Sequence, residues 1–302
     1  MTSSAPKTLA SEYLAACRSD IAELPSTPKV LGLIASQDAP SLAYARATRQ
    51  RFLDAGMAYD LQQVSRLDLE QAILAANEDS TIHGIFIYFP IFGNQQDDYL
   101  RNLVDYTKDV EAGSQYWTRK LYANDRFAIP GDTQKKALLP CTPLAIVKLL
   151  THLGVYEESI AAGVRPLTGK TVSIFNRSEV IGRPLAVMMS NEGATVYSFD
   201  EFGPLCFENA QPNETRITRQ RALADSDIVI TGVPSAAFPS ITPEEVSSAA
   251  VCLNFSSFDN FAPEIDDHVG TYIARIGPMT VAMCLRNAIR LYQNFHLEDV
   301  RL

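Results

Sequence analysis

Residues 171 to 200 hold the pattern richest in chemistry. A short β-branched and apolar run, Thr171 to Phe175, leads into the turn Asn176-Arg177-Ser178-Glu179-Val180-Ile181-Gly182. A helix-forming stretch follows, with Pro184 suited to its first turn and Gly193 to its stop. Ala194 to Phe199 then reads as a second strand, closed by Asp200. Strand, turn, helix and strand form a βαβ unit of the dinucleotide-binding kind. N–H groups at its helix start favour a phosphate, and a carboxylate ending its second strand favours the hydroxyls of a ribose. Asp200 lies 18 residues past Gly182, where it would accept hydrogen bonds from NAD and repel the 2′-phosphate of NADP. The glycine signal is thin, because Gly182 stands alone where a standard fingerprint has three. With Glu201 next to it, Asp200 could instead open a solvated turn; the order of elements favours the cofactor.

Ligands of an open α/β sheet collect beyond the carboxyl ends of its strands. Here those ends are Asn176-Arg177-Ser178, Asp200 with Glu201, Gly232-Val233-Pro234 and Asn254-Phe255-Ser256. With Gly182 and Thr280 they make up the predicted cofactor set, Arg177 and Ser178 facing the pyrophosphate. His83, His152, His268 and His296 are isolated, and Cys17, Cys141, Cys206, Cys252 and Cys284 lack metal-ligand spacing. No metal site is expected.

The elements that must position these residues follow from periodicity. Thr8 to Leu24, Ser41 to Asp54, Leu69 to Ala76 and Asp97 to Tyr106 have helical apolar spacing, while Val30 to Ile34, Tyr59 to Val64 and Ile82 to Pro90 read as strands. Thr142 can cap a helix whose first position is Pro143. Ile228 to Thr231, Val251 to Phe255 and Thr271 to Ala274 are further strands. Thr242-Pro243-Glu244-Glu245 looks like a capping box opening a helix, Val281 to Phe295 is a last helix, and 202–218 reads as a polar surface insertion. Strands alternating with helices give an α/β class with a mainly parallel sheet.

Bulk properties narrow the partners. At 302 residues the chain can form two ordinary domains. A net charge of −9 opposes a nucleic-acid partner, since phosphate binding needs a basic surface. No apolar run approaches a membrane span, and neither a secretory signal nor an organelle presequence is visible. Scattered cysteines in odd number point to reduced thiols in the cytosol.

Six motifs converge on one family. Tyr44-x-x-x-Thr48, Ile87-Tyr88-Phe89-Pro90, Lys108-Asp109-Val110-Glu111, Leu139-Pro140-Cys141-Thr142-Pro143, Asn176 to Pro184, and Gly277-Pro278-Met279-Thr280 occur in order. From about residue 8 to 295 the chain resembles the methylenetetrahydrofolate dehydrogenase/cyclohydrolase family. The resemblance implies two domains: an N-terminal α/β domain, residues 1–140, completed by 281–302, and a Rossmann-type doubly wound parallel sheet, residues 141–280. It implies a C-terminal helix returning to the first domain, a folate site in the cleft between the two, and a homodimer. The folate set would be Tyr44, Thr48, Tyr88, Glu111 and Pro278. Cys141 would be an active-site residue of chemical or structural role, and Pro278 and Thr280 would close a loop near the nicotinamide.

Three departures fall on that pocket. Bifunctional members carry lysine at the position of Thr48, glutamine at Tyr88 and aspartate at Glu111. The lysine, one helical turn beyond the tyrosine, is the group expected to assist hydrolysis of the methenyl ring. Its loss implies an NAD-dependent dehydrogenase without cyclohydrolase activity. Ala112 stands where the family usually has glycine. The competing expectations are a bifunctional enzyme in which another group replaces the lysine, and a non-catalytic NAD- or folate-sensing module.

Overall fold

The structure is a computed structural model describing residues 5–156 and 164–297. The chain divides into two compact units, one of Ala10–Cys141 with Val281–Leu302, the other of Met1–Leu9 with Thr142–Thr280.

In the first unit, helices and parallel strands alternate: α1 (Ala5–Ala22) from Ala10 onward, β1 (Lys29–Ile34), α2 (Ala39–Asp54), β2 (Ala58–Gln63), α3 (Leu69–Glu78), β3 (Gly84–Ile87) and α4 (Gln95–Leu103). The sheet order is β2-β1-β3. β1 is buried from Val30 onward, as a central parallel strand covered on both faces must be. Asp38 caps α2, accepting from the Ser41 N–H at 2.8 Å. α3 and α4 pack Leu69, Ile73, Ala76 and Leu100 onto Leu31, Leu33, Ile85 and Ile87. The segment then adds α5 (Gln115–Tyr122) and an antiparallel pair, β4 (Phe127–Ile129) and β5 (Asp132–Lys136).

The second unit contains α6 (Cys141–His152) from Thr142 onward, β6 (Thr171–Phe175), α7 (Gly182–Asn191), β7 (Thr195–Asp200), β8 (Gly203–Glu208) and β9 (Gln211–Glu214). It continues through α8 (Arg219–Asp225), β10 (Ile228–Thr231), β11 (Val251–Asn254), α9 (Ile265–His268) and β12 (Thr271–Ile273). α10 (Gly277–Leu291) begins here, and its residues from Val281 count with the first unit. The sheet order is β12-β11-β10-β6-β7-β8-β9, parallel through β7 and antiparallel at β8 and β9. The strand order reverses at β6 and β10, and the carboxyl ends of those strands flank the place where such sheets hold dinucleotides.

Three local expectations are corrected. Residues 202–218 are no mere insertion: β8 and β9 form a hairpin that extends the sheet, its two-residue turn at Asn209 and Ala210 having positive φ (50° and 65°) at both positions, as a type I′ turn requires. Thr142 does not cap α6, which already includes Cys141. The Thr242 box, in which Glu245 Oε2 accepts from the Thr242 N–H at 3.0 Å, opens only a single 3₁₀ turn, Pro243–Glu245.

Candidate active site

Tyr44 and Thr48 stand one turn apart on the same face of α2, because i and i+4 share a face. Tyr88 follows β3, and Glu111 lies in the loop beyond Lys108. The four meet in the first unit. The Tyr44 and Tyr88 rings are edge to face at 6.0 Å, and the Thr48 hydroxyl and Glu111 carboxyl both bear on the two phenols. Thr48 is 1% exposed and its Oγ1 has no hydrogen bond of good geometry. Tyr44 is 45% exposed overall, so its ring is open to a ligand. Burial pushes the Tyr88 phenol up to about 12.

Behind Tyr88 lies Tyr59 on β2, which the sequence reading passed over. Their hydroxyls are 2.7 Å apart, and burial holds the Tyr59 phenol well above its ordinary range. The signal for it was Gly32 inside β1. A Cβ there would collide with the Tyr59 ring and hydroxyl, and an isolated strand glycine marks such close approaches.

The Lys108-Asp109-Val110-Glu111 motif divides its labour. Lys108 Nζ donates to the carbonyls of Ala76, Asn77 and Asp79 at 2.9, 2.7 and 2.8 Å, closing the end of α3. The Asp109 carboxylate accepts from the Ser114 N–H at 2.8 Å, and the Asp109 main-chain carbonyl accepts from the Ala112 N–H at 3.2 Å. Ala112 sits at φ 52°, so the loop keeps a left-handed turn although alanine replaces the usual glycine. Glu111, half-buried, makes no hydrogen bond among the described residues. Burial and the nearby Asp109 carboxyl push it up to about 8, with Arg101 pulling the other way.

Cys141 is buried one hydrogen bond from this loop. Its thiol donates to the Val110 carbonyl at 3.4 Å. Burial, a hydrogen bond with Cys284 and the carboxyls of Glu111 and Asp109 push it well above the ordinary thiol range. Burial and the neighbouring carboxyls thus both work against the thiolate form. Asn287 of α10, also missed, donates through Nδ2 to the carbonyls of Val110 (3.1 Å) and Leu139 (3.0 Å) and reaches Cys141 Sγ at 3.3 Å.

In the second unit, the residues expected around a dinucleotide converge at the strand ends, several in altered roles. Arg177 Nη2 donates to Asp200 Oδ1 at 2.5 Å and also to the Gly203 carbonyl. Oδ1 takes the Phe202 N–H as well, at 2.9 Å, which leaves Oδ2 unclaimed. Ser178 Oγ accepts from the Ile181 and Gly182 N–H groups, while those of Glu179 and Val180 donate to nothing among the described residues. Gly182 is needed because a Cβ would run into the Asn176 carbonyl.

Asn176 and Asn254 are braces. Asn176 Nδ2 donates to the Gly232 carbonyl at 2.9 Å, and fully buried Asn254 ties Thr231, Ser256 and Phe258 together. Ser256 Oγ donates to the Val233 carbonyl, and Asn260, unforeseen, accepts from the Val233 N–H at 2.9 Å while donating to its carbonyl at 3.1 Å. The Phe255 ring lies against Gly232 where a Cβ would fall. Glu201 and Pro234 are exposed. Pro278 and Thr280 occupy the first turn of α10, in the part of that helix that counts with this unit. No group of three or more His, Cys, Asp or Glu able to hold a metal occurs among the described residues.

This arrangement suits NAD. A carboxylate pinned through one oxygen presents the other to a ribose diol, and unpaired N–H groups in the turn that leads into a helix suit a pyrophosphate.

Comparison with known proteins agrees. Residues 5–111 match the catalytic-domain model of tetrahydrofolate dehydrogenase/cyclohydrolase, and residues 140–255 match its NAD(P)-binding domain. The chain is 43% identical over 275 residues to a methylenetetrahydrofolate dehydrogenase [NAD(+)] of Schizosaccharomyces pombe, covering 87% of this chain and 84% of that one. It is 39% identical to the enzyme of the same name from Dictyostelium discoideum, with 88% and 86% covered. The solved NAD-dependent 5,10-methylenetetrahydrofolate dehydrogenase of Saccharomyces cerevisiae superposes with a TM-score of 0.86 at 35% identity, over 97% of each chain.

Proposed function

The chain belongs to the tetrahydrofolate dehydrogenase/cyclohydrolase family, and we propose that it performs only the first of the two reactions in that name. It is an NAD-dependent methylenetetrahydrofolate dehydrogenase of folate one-carbon metabolism, oxidising 5,10-methylenetetrahydrofolate to the methenyl cation. When bound, NAD supplies the hydride acceptor. Asp200 Oδ2 would hold the adenosine ribose, and the N–H groups of Glu179 and Val180 would meet the pyrophosphate.

Glu111 grips the pterin amine and ring N–H with both carboxylate oxygens, as a carboxylate does best when ionised. Tyr44 packs on the pterin. The folate nitrogen lone pair drives the hydride out, so no side chain has to remove a proton from carbon, and orientation is the main demand on the protein. The product is a cation, and no ammonium group at position 48 repels it.

Ring opening would need an activated water and proton transfers. Thr48 cannot be a charged acid, Tyr88 titrates only near 12, and Glu111 is committed to the pterin. The observation carrying the proposal is Thr48 itself, buried between two phenols where bifunctional members have lysine. Purified protein should form NADH from methylenetetrahydrofolate while leaving methenyltetrahydrofolate at its uncatalysed rate of hydrolysis. Faster conversion to formyltetrahydrofolate would overturn the proposal.

A cytosolic homodimer is the accompanying proposal, with domains at 1–140 plus 281–302 and at 141–280. Free cysteines suit a reducing compartment, and no helix among the described residues is long and apolar enough to cross a membrane. Light scattering checks the dimer.

A further inference from the structure

Asn287 is completely buried, and its amide nitrogen is committed to two backbone carbonyls, those of Val110 and Leu139, and to the Cys141 sulfur. Reversing that amide would set its oxygen against two carbonyl oxygens, so its orientation is determined. In this orientation Oδ1 is buried without a partner. An orphaned acceptor costs stability, a cost that the bonds to the two carbonyls offset. Asn287 is therefore spent on holding backbone.

What it holds is the Val110 carbonyl, which also takes the Cys141 thiol. That carbonyl lies in the same rigid peptide plane as the Glu111 N–H and Cα, so fixing it fixes where the Glu111 side chain starts and narrows the directions it can take. On the far side of Glu111, Asp109 takes the Ser114 N–H on its carboxylate and the Ala112 N–H on its main-chain carbonyl. The loop is thus clamped on both sides of a carboxylate that makes no hydrogen bond of its own among the described residues.

We infer that Asn287 is a positioning residue for substrate recognition: with Cys141 it holds the Val110 carbonyl so that Glu111 meets the pterin already oriented. The inference rests on the reading of Glu111 as the pterin ligand. It also gives Cys141 a role, as the second donor to that carbonyl.

The test is steady-state kinetics of the full-length enzyme between pH 6 and 10, for wild type, Asn287→Ser, Cys141→Ala, Cys141→Ser and Glu111→Gln. Asn287→Ser should raise the KM for methylenetetrahydrofolate roughly tenfold, about the worth of one or two hydrogen bonds, with kcat within about twofold. Its KM should reach its low plateau at a lower pH than in wild type, because a loosened Glu111 is better hydrated; a residue needed only for folding would leave that profile in place. Cys141→Ala should raise KM about threefold, and Cys141→Ser, whose hydroxyl can still donate to Val110, should restore it. A folded Asn287→Ser enzyme with unchanged KM and pH profile, while Glu111→Gln raises KM, would overturn the inference alone. A Glu111→Gln enzyme with unchanged KM would remove the assignment beneath it. If Asn287→Ser does not fold, the cysteine pair decides: equal KM for Cys141→Ala and wild type would overturn the clamp.

Discussion

Asp200 does two things with its two oxygens: one holds Arg177 and the Phe202 N–H, and the other is left for a ligand. Arg177 is in turn a cation withheld from the phosphates. Asp200→Ser should remove the repulsion and release the guanidinium together, and an arginine in this place accommodates a 2′-phosphate. Direct titration should then show NADP affinity rising by roughly 10- to 100-fold relative to NAD. Adding Arg177→Met should abolish that gain, and a gain that survives would mean the arginine is not involved. Glu111 gives a pH prediction. Its carboxyl is raised to about 8 in the folded protein, so its contribution to stability is complete below the ordinary glutamate range and is lost as pH rises through about 8. Pterin binding wants the ionised form, so KM for folate should fall over the same interval. Glu111→Gln should flatten both trends, raising the melting temperature relative to wild type more at pH 9 than at pH 5. A melting-temperature difference independent of pH would show that burial does not perturb this group.

The elements that periodicity revealed are those with long apolar patterns and nearby stops. β1, α3 and β10 were legible to within a residue or two, because each buries one clear face or a whole strand and is punctuated by glycine, proline or aspartate. α5, β4 and β5 were not, since β5 (Asp-Thr-Gln-Lys-Lys) has no apolar alternation to read. β9 is exposed throughout and contains Pro212, so it looks like loop until β8 pairs with it. Among site residues, Tyr44, Thr48 and Glu111 were visible through motifs. Asn287 and Asn260 were not, because an asparagine on a helix or loop gives no sign in sequence that its amide is spent inside the protein on backbone. The turn between β6 and α7 makes the element-scale prediction. Gly182→Ala would push a methyl into the Asn176 carbonyl, and should destabilise by about 1–3 kcal/mol while raising the Kd for NAD in isothermal titration. Unchanged stability and affinity would mean that the turn adjusts freely.

At the scale of the whole molecule, each unit has a core of its own. Leu31, Ile73 and Leu100 belong to one, Leu223, Cys252 and Phe261 to the other. Ile73→Ala, at a fully buried position, should cost about 2–5 kcal/mol of stability and leave the Kd for NAD within about twofold by direct titration. A larger change in Kd would show that the cores do not act separately. Sites of change can also lie well away from the chemistry they control. Gly32 makes no polar contact through a side chain, yet its bareness lets the Tyr59 phenol stand behind Tyr88. Restoring lysine at position 48 would bring a flexible cation into a chamber already filled by phenols. A laboratory selection for ring opening that starts from Thr48→Lys should accordingly enrich replacements on the middle strand of the small sheet alongside any at the helix.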